Sequence, residues 1–199
     1  MKEEPKICHY LDLPIQHASD AVLKRMGRRT TRKELTEKIQ KLREEIPDIV
    51  LRTTLITGFP GETEEDHETL MEFVDEMEFD RLGVFTYSVE EDTPAASMEG
   101  QIPEEVKEER RDALMELQQE VSYDKGTERI GQELLVMIEG KVSGESAYIA
   151  RTYGDAPKVD GYIFVQTGEL LVTGDFAKVR VTGAMEYDLI GELADEYTE

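Results

Sequence analysis

The chain has 199 residues, 39% of them hydrophobic, enough for one large domain or two small ones with real cores. Its 45 acidic and 23 basic side chains give a net charge of −22, which argues against general nucleic-acid binding, because phosphate contacts need clustered Lys and Arg. No apolar run approaches membrane-span length, "MKEEPKICHY" is no signal peptide, and a single cysteine excludes an internal disulfide, so a soluble cytoplasmic protein is expected.

Residues 1–130 alternate strand and helix patterns. "ICHYLDLPI" (7–15) reads as a buried strand, with Cys8 a small apolar residue inside it. A short helix follows before Arg28. "TRKELTEKIQKLREEI" (31–46) is a helix that places Leu35, Ile39, Leu42 and Ile46 on one face. Thr31 and Glu34 form a capping box at its start, and Pro47 stops it. "IVLRTTLITG" (49–58) is a second strand, and 63–78 is a helix with a Thr63/Asp66 box and a Leu70, Val74, Met77 stripe. "RLGVFTYS" (81–88) is a third strand. After a loop, Pro103 opens a long helix with Val106, Leu114, Leu117 and Val121 inward. Strands separated by helices predict parallel pairing, and three such units are too few for a complete doubly wound sheet or barrel.

From residue 131 the apolar period drops to two. "QELLVMIEGKV", "AYIARTY", "GYIFVQT" and "FAKVRVTGAM" predict four or five short strands, hence a small antiparallel barrel. The predicted class is therefore α/β followed by all-β, with a boundary at 130/131. The second part carries 13 acidic and 5 basic residues, so both parts are acidic.

One stretch, "TTLITGFPGETEED" (53–66), has the outline of a phosphate loop: strand, glycine turn, helix. It lacks the lysine of a Walker loop and the glycine spacing of a dinucleotide fingerprint, and Glu64, Glu65 and Asp66 would repel a phosphate. Locally, Pro60 and Gly61 supply a tight turn and the acidic residues suit a helix N-terminus. Ligands of parallel sheets bind beyond the carboxyl ends of the strands. Gln16, the 57–61 turn and Tyr87–Ser88 would share that rim. Gln16 can donate and accept hydrogen bonds and Arg28 can grip a carboxylate, so a polar nucleoside is one possible occupant. A capping glutamine and a solvated arginine are the other reading.

"YLDLPIQHASDAVLKRMGRRTTR", "LRTTLITGFPGETEED" and "FTYSVEEDTPAASM" resemble the later part of a radical S-adenosylmethionine barrel, that of the methylthiotransferases. "LPIQHAS" and "RTTLITGFPGET" resemble its RimO group, and "YGDAPKVDGYIFV" is similar to the TRAM domain that ends those enzymes. The resemblance implies a fold of C-terminal βα units from a partial TIM-type barrel plus an OB-like TRAM barrel. It also implies an activity: placing a methylthio group on the β-carbon of an aspartate in protein twelve of the small ribosomal subunit. The cofactors implied are S-adenosylmethionine and two four-iron four-sulfur clusters. Carried over residue by residue, Gln16 and Arg28 fall at positions that contact the cofactor's ribose and amino-acid end. Thr54 stands where relatives often carry Asp, Ile56 and Gly58 fit the motif against adenine, and Phe85 and Tyr87 lie at the ligand-facing end of the next strand.

Neither cluster has ligands here. The radical cluster needs three cysteines in a C-x3-C-x2-C arrangement, and His9, His17 and His67 do not cluster in sequence, so no metal residue and no catalytic residue is assigned. His17 reads as an ordinary strand-end residue, with the site as its alternative. The expectation is a fragment inactive alone, with the parent's cluster ligands preceding residue 1. For the acidic second part, Glu145, Asp155, Asp160, Glu169 and Asp175 are candidates for a face that docks the basic ribosomal protein. Two alternatives stay open: a fragment of a transfer-RNA methylthiotransferase, and a non-catalytic protein-docking module.

Overall fold

The computed structural model describes residues 1–194 and divides into two compact units, one from Tyr10 to Val121 and the other from Ser122 onward together with Glu3–His9. The division falls inside the long helix.

The first unit holds three parallel strands in the order β1 (Tyr10–Asp12), β2 (Val50–Thr57), β3 (Arg81–Thr86). Between them run α1 (Asp20–Arg25), α2 (Arg32–Glu45) and α3 (Glu64–Met77), and α4 (Glu104–Thr127) follows. Both predicted capping boxes form: the Thr31 and Thr63 hydroxyls accept from the N–H groups of Glu34 and Asp66, whose carboxylates reach back to the cap N–H groups. The core joins Leu51, Leu55 and Val84 of the strands to Ile39, Leu70, Phe73, Val74 and Leu114 of the helices. Those helices cover one face of the sheet. The opposite face carries Arg52, Thr54, Ile56 and Phe85, in keeping with the alternation of strand side chains.

Three expectations need correction. The first strand pairs over three residues, not nine. Its register begins at Tyr10 opposite Val50, and Pro14 has no N–H for the ladder. The Thr53 side chain takes over there: its hydroxyl donates to Leu13 O (2.9 Å) and accepts from Ile15 N–H (3.4 Å). Cys8 lies before the paired segment and is exposed, not buried. The inward stripe of α4 is turned by one residue. Lys107, Arg110, Leu114 and Gln118 are buried, whereas Val106, Leu117 and Val121 are half-buried.

The second unit contains a closed barrel of five strands: β4 (Glu133–Lys141), β5 (Ala147–Arg151), β6 (Ile163–Gln166), β7 (Phe176–Ala184) and β8 (Leu189–Leu193). They close in the order β4-β5-β6-β8-β7. Four of its pairings are antiparallel and one, β6 with β8, is parallel. Alternate residues fill the interior, among them Val136, Ile138, Tyr148, Ile163, Val165, Val179 and Val181. Bulges after Ile138 and Val181 bend β4 and β7 so that five strands can close. No helix of the described residues is long and apolar enough to cross a membrane.

Leu70 is fully buried at the centre of the first core. Leu70→Ala is expected to cost about 2–5 kcal/mol through lost burial and the cavity left behind. Urea unfolding followed by circular dichroism checks this.

Candidate functional site: a groove at the strand ends

A groove of about 550 Å³ opens at the carboxyl ends of β2 and β3. Gln16, Arg28, Ile56, Phe59, Phe85 and Tyr87 contribute to its walls, and the segment Thr93–Met98 closes one side. Ile56 and Phe85 are register partners on adjacent strands, so the parallel ladder alone sets them side by side. Phe85 is 60% exposed, a large aromatic face left open to the groove. Phe59 and Tyr87 meet edge to face at 5.2 Å, packed with Val22 beneath them.

Gln16 is placed by an unusual backbone. It adopts φ +72°, the left-handed region that non-glycine residues seldom occupy, and still bridges to β2: its N–H donates to Thr54 O and its carbonyl accepts from Ile56 N–H, at 2.9 and 2.8 Å. Its side-chain amide makes no hydrogen bond among the described residues. Arg28 follows the end of α1, where Gly27 at φ +74° turns the chain and the Arg28 N–H bonds back to Leu23 O. Its guanidinium is exposed and enters no ion pair among the described residues. The Tyr87 hydroxyl is buried without a partner. The groove thus offers aromatic faces and, among the described residues, one unpaired cation and one free amide, with the Tyr87 hydroxyl buried behind its wall.

The glycine turn forms the groove's edge and is held from within. Glu62 is buried, and its Oε2 accepts from the N–H groups of Gly58 (2.8 Å) and Phe59 (3.3 Å). Its Oε1 accepts from Arg110 Nη1 at 2.8 Å. His17 Nδ1 accepts from Ser19 N–H, which leaves the proton on Nε2, 3.5 Å from Glu62 Oε2. Burial opposes ionisation of Glu62. The imidazole of His17, the charge of Arg110 and the Gly58 N–H outweigh it and hold the carboxyl below its ordinary range. Asp66 is also lowered: burial opposes its charge, and the hydroxyls of Ser19 and Thr63, the Thr63 N–H and Arg25 favour it. Burial pushes His67 down, against the nearby carboxylate of Glu62. Two glycines are required here. Gly58 (φ +70°) lies against the Lys107 stem and Gly61 (φ +77°) against the Arg25 guanidinium, and a Cβ at either would collide.

Five of the residues singled out from sequence, Gln16, Arg28, Ile56, Phe85 and Tyr87, line this one groove. Two do not. Thr54 lies one pleat back along β2, and Gly58 is covered by Lys107. His17 is fully buried behind the turn and faces Glu62, not the groove. Phe59 was read only as part of the 57–61 turn on the rim, and Glu62, Lys107 and Arg110 escaped sequence reading. The signal for the last two was present in the spacing: they sit seven and four residues before Leu114, on its face of the helix.

The described residues contain no group of three His, Cys, Asp or Glu placed to hold a metal ion. Residues 1–74 match the radical SAM superfamily and residues 130–194 the TRAM domain. The chain is thus similar to a radical SAM region in its first part and to a TRAM domain in its last. Its similar relatives include the ribosomal protein uS12 methylthiotransferase RimO of Lachnoclostridium phytofermentans, 62% identical over 96% of this chain and 43% of the relative. Proteins of the same name from Desulfitobacterium hafniense and Clostridioides difficile are 52% and 47% identical, over 97% and 98% of this chain and 43% and 44% of their own length. The chain therefore spans less than half the length of the curated relatives it matches.

In the TRAM domain the five acidic candidates do not form one face. Glu145 lies in the loop between β4 and β5, and Glu169 and Asp175 lie between β6 and β7. These loops share one end of the barrel, joined by Thr167 N–H to Ser146 O. Asp155 and Asp160 lie in the β5–β6 loop at the other end, and their carboxylates are used internally. Asp155 is buried and accepts from the Thr152 hydroxyl (2.6 Å) and N–H, and Asp160 accepts from Ala156 N–H (2.8 Å). Asp155 therefore cannot present charge to a partner.

The carboxyls of Glu62 and Asp66 sit below their ordinary values, so their stabilising share is complete above about pH 4.5 and disappears as pH falls through the lowered values. His67 acts with the same sign from its ordinary 6.5 downward, because the unfolded chain takes the proton first. Urea midpoints of the first unit should fall steadily below about pH 6.5. Glu62→Gln should lose about 3 kcal/mol at pH 7 by leaving Arg110 without its buried partner, and should flatten the acid limb. Equal midpoints at pH 7 and pH 4 would contradict this.

Proposed function

We propose that this chain is part of a radical S-adenosylmethionine enzyme that methylthiolates the β-carbon of an aspartate in ribosomal protein uS12, working in the cytoplasm. The observation that carries the reading is the groove, read beside relatives named for that activity at up to 62% identity. Its polar inventory fits S-adenosylmethionine. Ile56 and the open Phe85 ring suit a purine face. Arg28 is a free cation for the carboxylate. The Gln16 amide is available to ribose or amino-acid oxygens.

The two four-iron four-sulfur clusters do not fit the residues present: one cysteine, exposed, is two short of the three thiolates a radical cluster needs. In the parent enzyme, cofactor and clusters together would supply the radical and sulfur chemistry. This chain's residues bind and orient the nucleoside: Phe85 and Ile56 exclude water from one purine face, and Arg28 fixes the opposite end. The chain by itself is expected to be inactive.

Titration calorimetry with S-adenosylmethionine tests the site. Arg28→Ala should weaken binding about tenfold or more, as expected for a charged hydrogen bond. Absence of binding by the unaltered chain would overturn the assignment.

The docking surface on the TRAM domain is the barrel end that bears Glu145, Glu169 and Asp175. A ribosomal protein rich in Lys and Arg would be attracted to it, and a phosphate backbone repelled. Binding of the chain to purified uS12 should weaken as salt rises, and the triple change of these residues to Lys should slow association and flatten that dependence. Tighter binding of transfer RNA than of uS12 would move the reading to the transfer-RNA branch of the enzymes.

A further inference from the structure

Two buried cations on a single turn of α4 stand behind the groove without lining it. Lys107 is 5% exposed and Arg110 7%, values that such side chains reach only when their charges are engaged. Lys107 Nζ donates to the Tyr87 carbonyl at 2.8 Å and to Glu104 at 2.9 Å, and it lies 5.5 Å from the centre of the Tyr87 ring. Its aliphatic stem covers Gly58. Arg110 donates to Glu62 Oε1 and to Glu62 O, and the other oxygen of that carboxylate holds the N–H groups of Gly58 and Phe59. The Thr57 hydroxyl closes the set by donating to Lys107 O. One cation therefore grips the chain at Tyr87 and the other, through Glu62, grips it at Phe59. These are the two rings whose edge-to-face contact forms the groove's inner wall.

We propose that Lys107 and Arg110 are positioning residues for the groove's ligand, fixing the Phe59–Tyr87 wall from behind so that the groove is formed before the ligand arrives. The proposal rests on S-adenosylmethionine being that ligand. A core contact elsewhere on α4 would stabilise the fold and leave affinity alone. These two side chains act on main-chain atoms within the wall itself, so their loss costs affinity by forcing binding to pay for ordering the wall.

The test compares Lys107→Met, Arg110→Met, Arg110→Lys and Leu114→Ala in the full chain. Lys107→Met keeps the stem over Gly58 and removes only the ammonium. Two readings are taken: affinity for S-adenosylmethionine, and amide hydrogen exchange of Phe59 and Tyr87 without ligand. The two Met variants should bind about tenfold more weakly, the scale of one charged hydrogen bond, and should exchange faster at both amides. Arg110→Lys should recover part of the loss. Leu114→Ala, buried on the same helix face but packed in the main core, should lower stability and leave affinity within about twofold, because it touches no wall atom. Met variants that fold and bind like the unaltered chain, or an equal affinity loss in Leu114→Ala, would overturn the proposal. If the unaltered chain binds no S-adenosylmethionine, the functional reading fails. The ligand-free exchange then decides the positioning claim by itself: unchanged exchange in Lys107→Met and Arg110→Met refutes it.

Discussion

The first unit depends on one buried carboxylate. Glu62 lies among Gly58, Phe59, His17 and Arg110, which come from three parts of the unit: the turn after β2, the segment after β1, and α4. A carboxylate taken out of water costs several kcal/mol unless it is fully partnered. Here two main-chain N–H groups and one guanidinium repay that cost. Because the partners come from distant parts of the sequence, the same carboxylate that satisfies the turn also ties α4 to it. The groove is the surface consequence of that internal bond.

This arrangement sets the turn apart from a phosphate loop, whose outline it shares. In a phosphate loop the N–H groups of the glycine turn point at the ligand. Those of Gly58 and Phe59 point inward, to a carboxylate carried by the chain itself. The turn's donors are consumed, and its exterior is left to aromatic and aliphatic side chains. Among the described residues, the unpaired Arg28 and the free Gln16 amide are the polar groups left open on that exterior.

The TRAM barrel follows a different logic. Its strands need only alternation and bulges to close, so its interior is uniformly apolar and its acidic residues are divided between the two ends. Acidity in composition is not acidity on a face. Asp155 is buried in capping its own loop, Asp160 and Asp175 each accept from one N–H of their loops, and Glu145, Glu169 and Asp175 remain exposed at the other end.

Where a local rule decides the outcome, the residues alone were enough. The capping boxes at Thr31 and Thr63, the stop at Pro47, the stripe of α3 and the period-two strands from 131 onward each depend on neighbours within a few positions. The strand-end position of Gln16, Ile56, Phe85 and Tyr87 followed from parallel pairing, which puts all carboxyl ends on one rim. Tertiary structure decided the rest. Pro14 and the Thr53 hydroxyl shortened the first strand, and Cys8 fell outside it. The buried face of α4 was misjudged because apolar counting passes over Lys107 and Arg110, whose burial is worthwhile only once Glu62 and the Tyr87 carbonyl, 48 and 20 residues away, are in place. Sequence periodicity reports what each residue prefers in water. It cannot report a charge whose partner arrives only when the chain has folded.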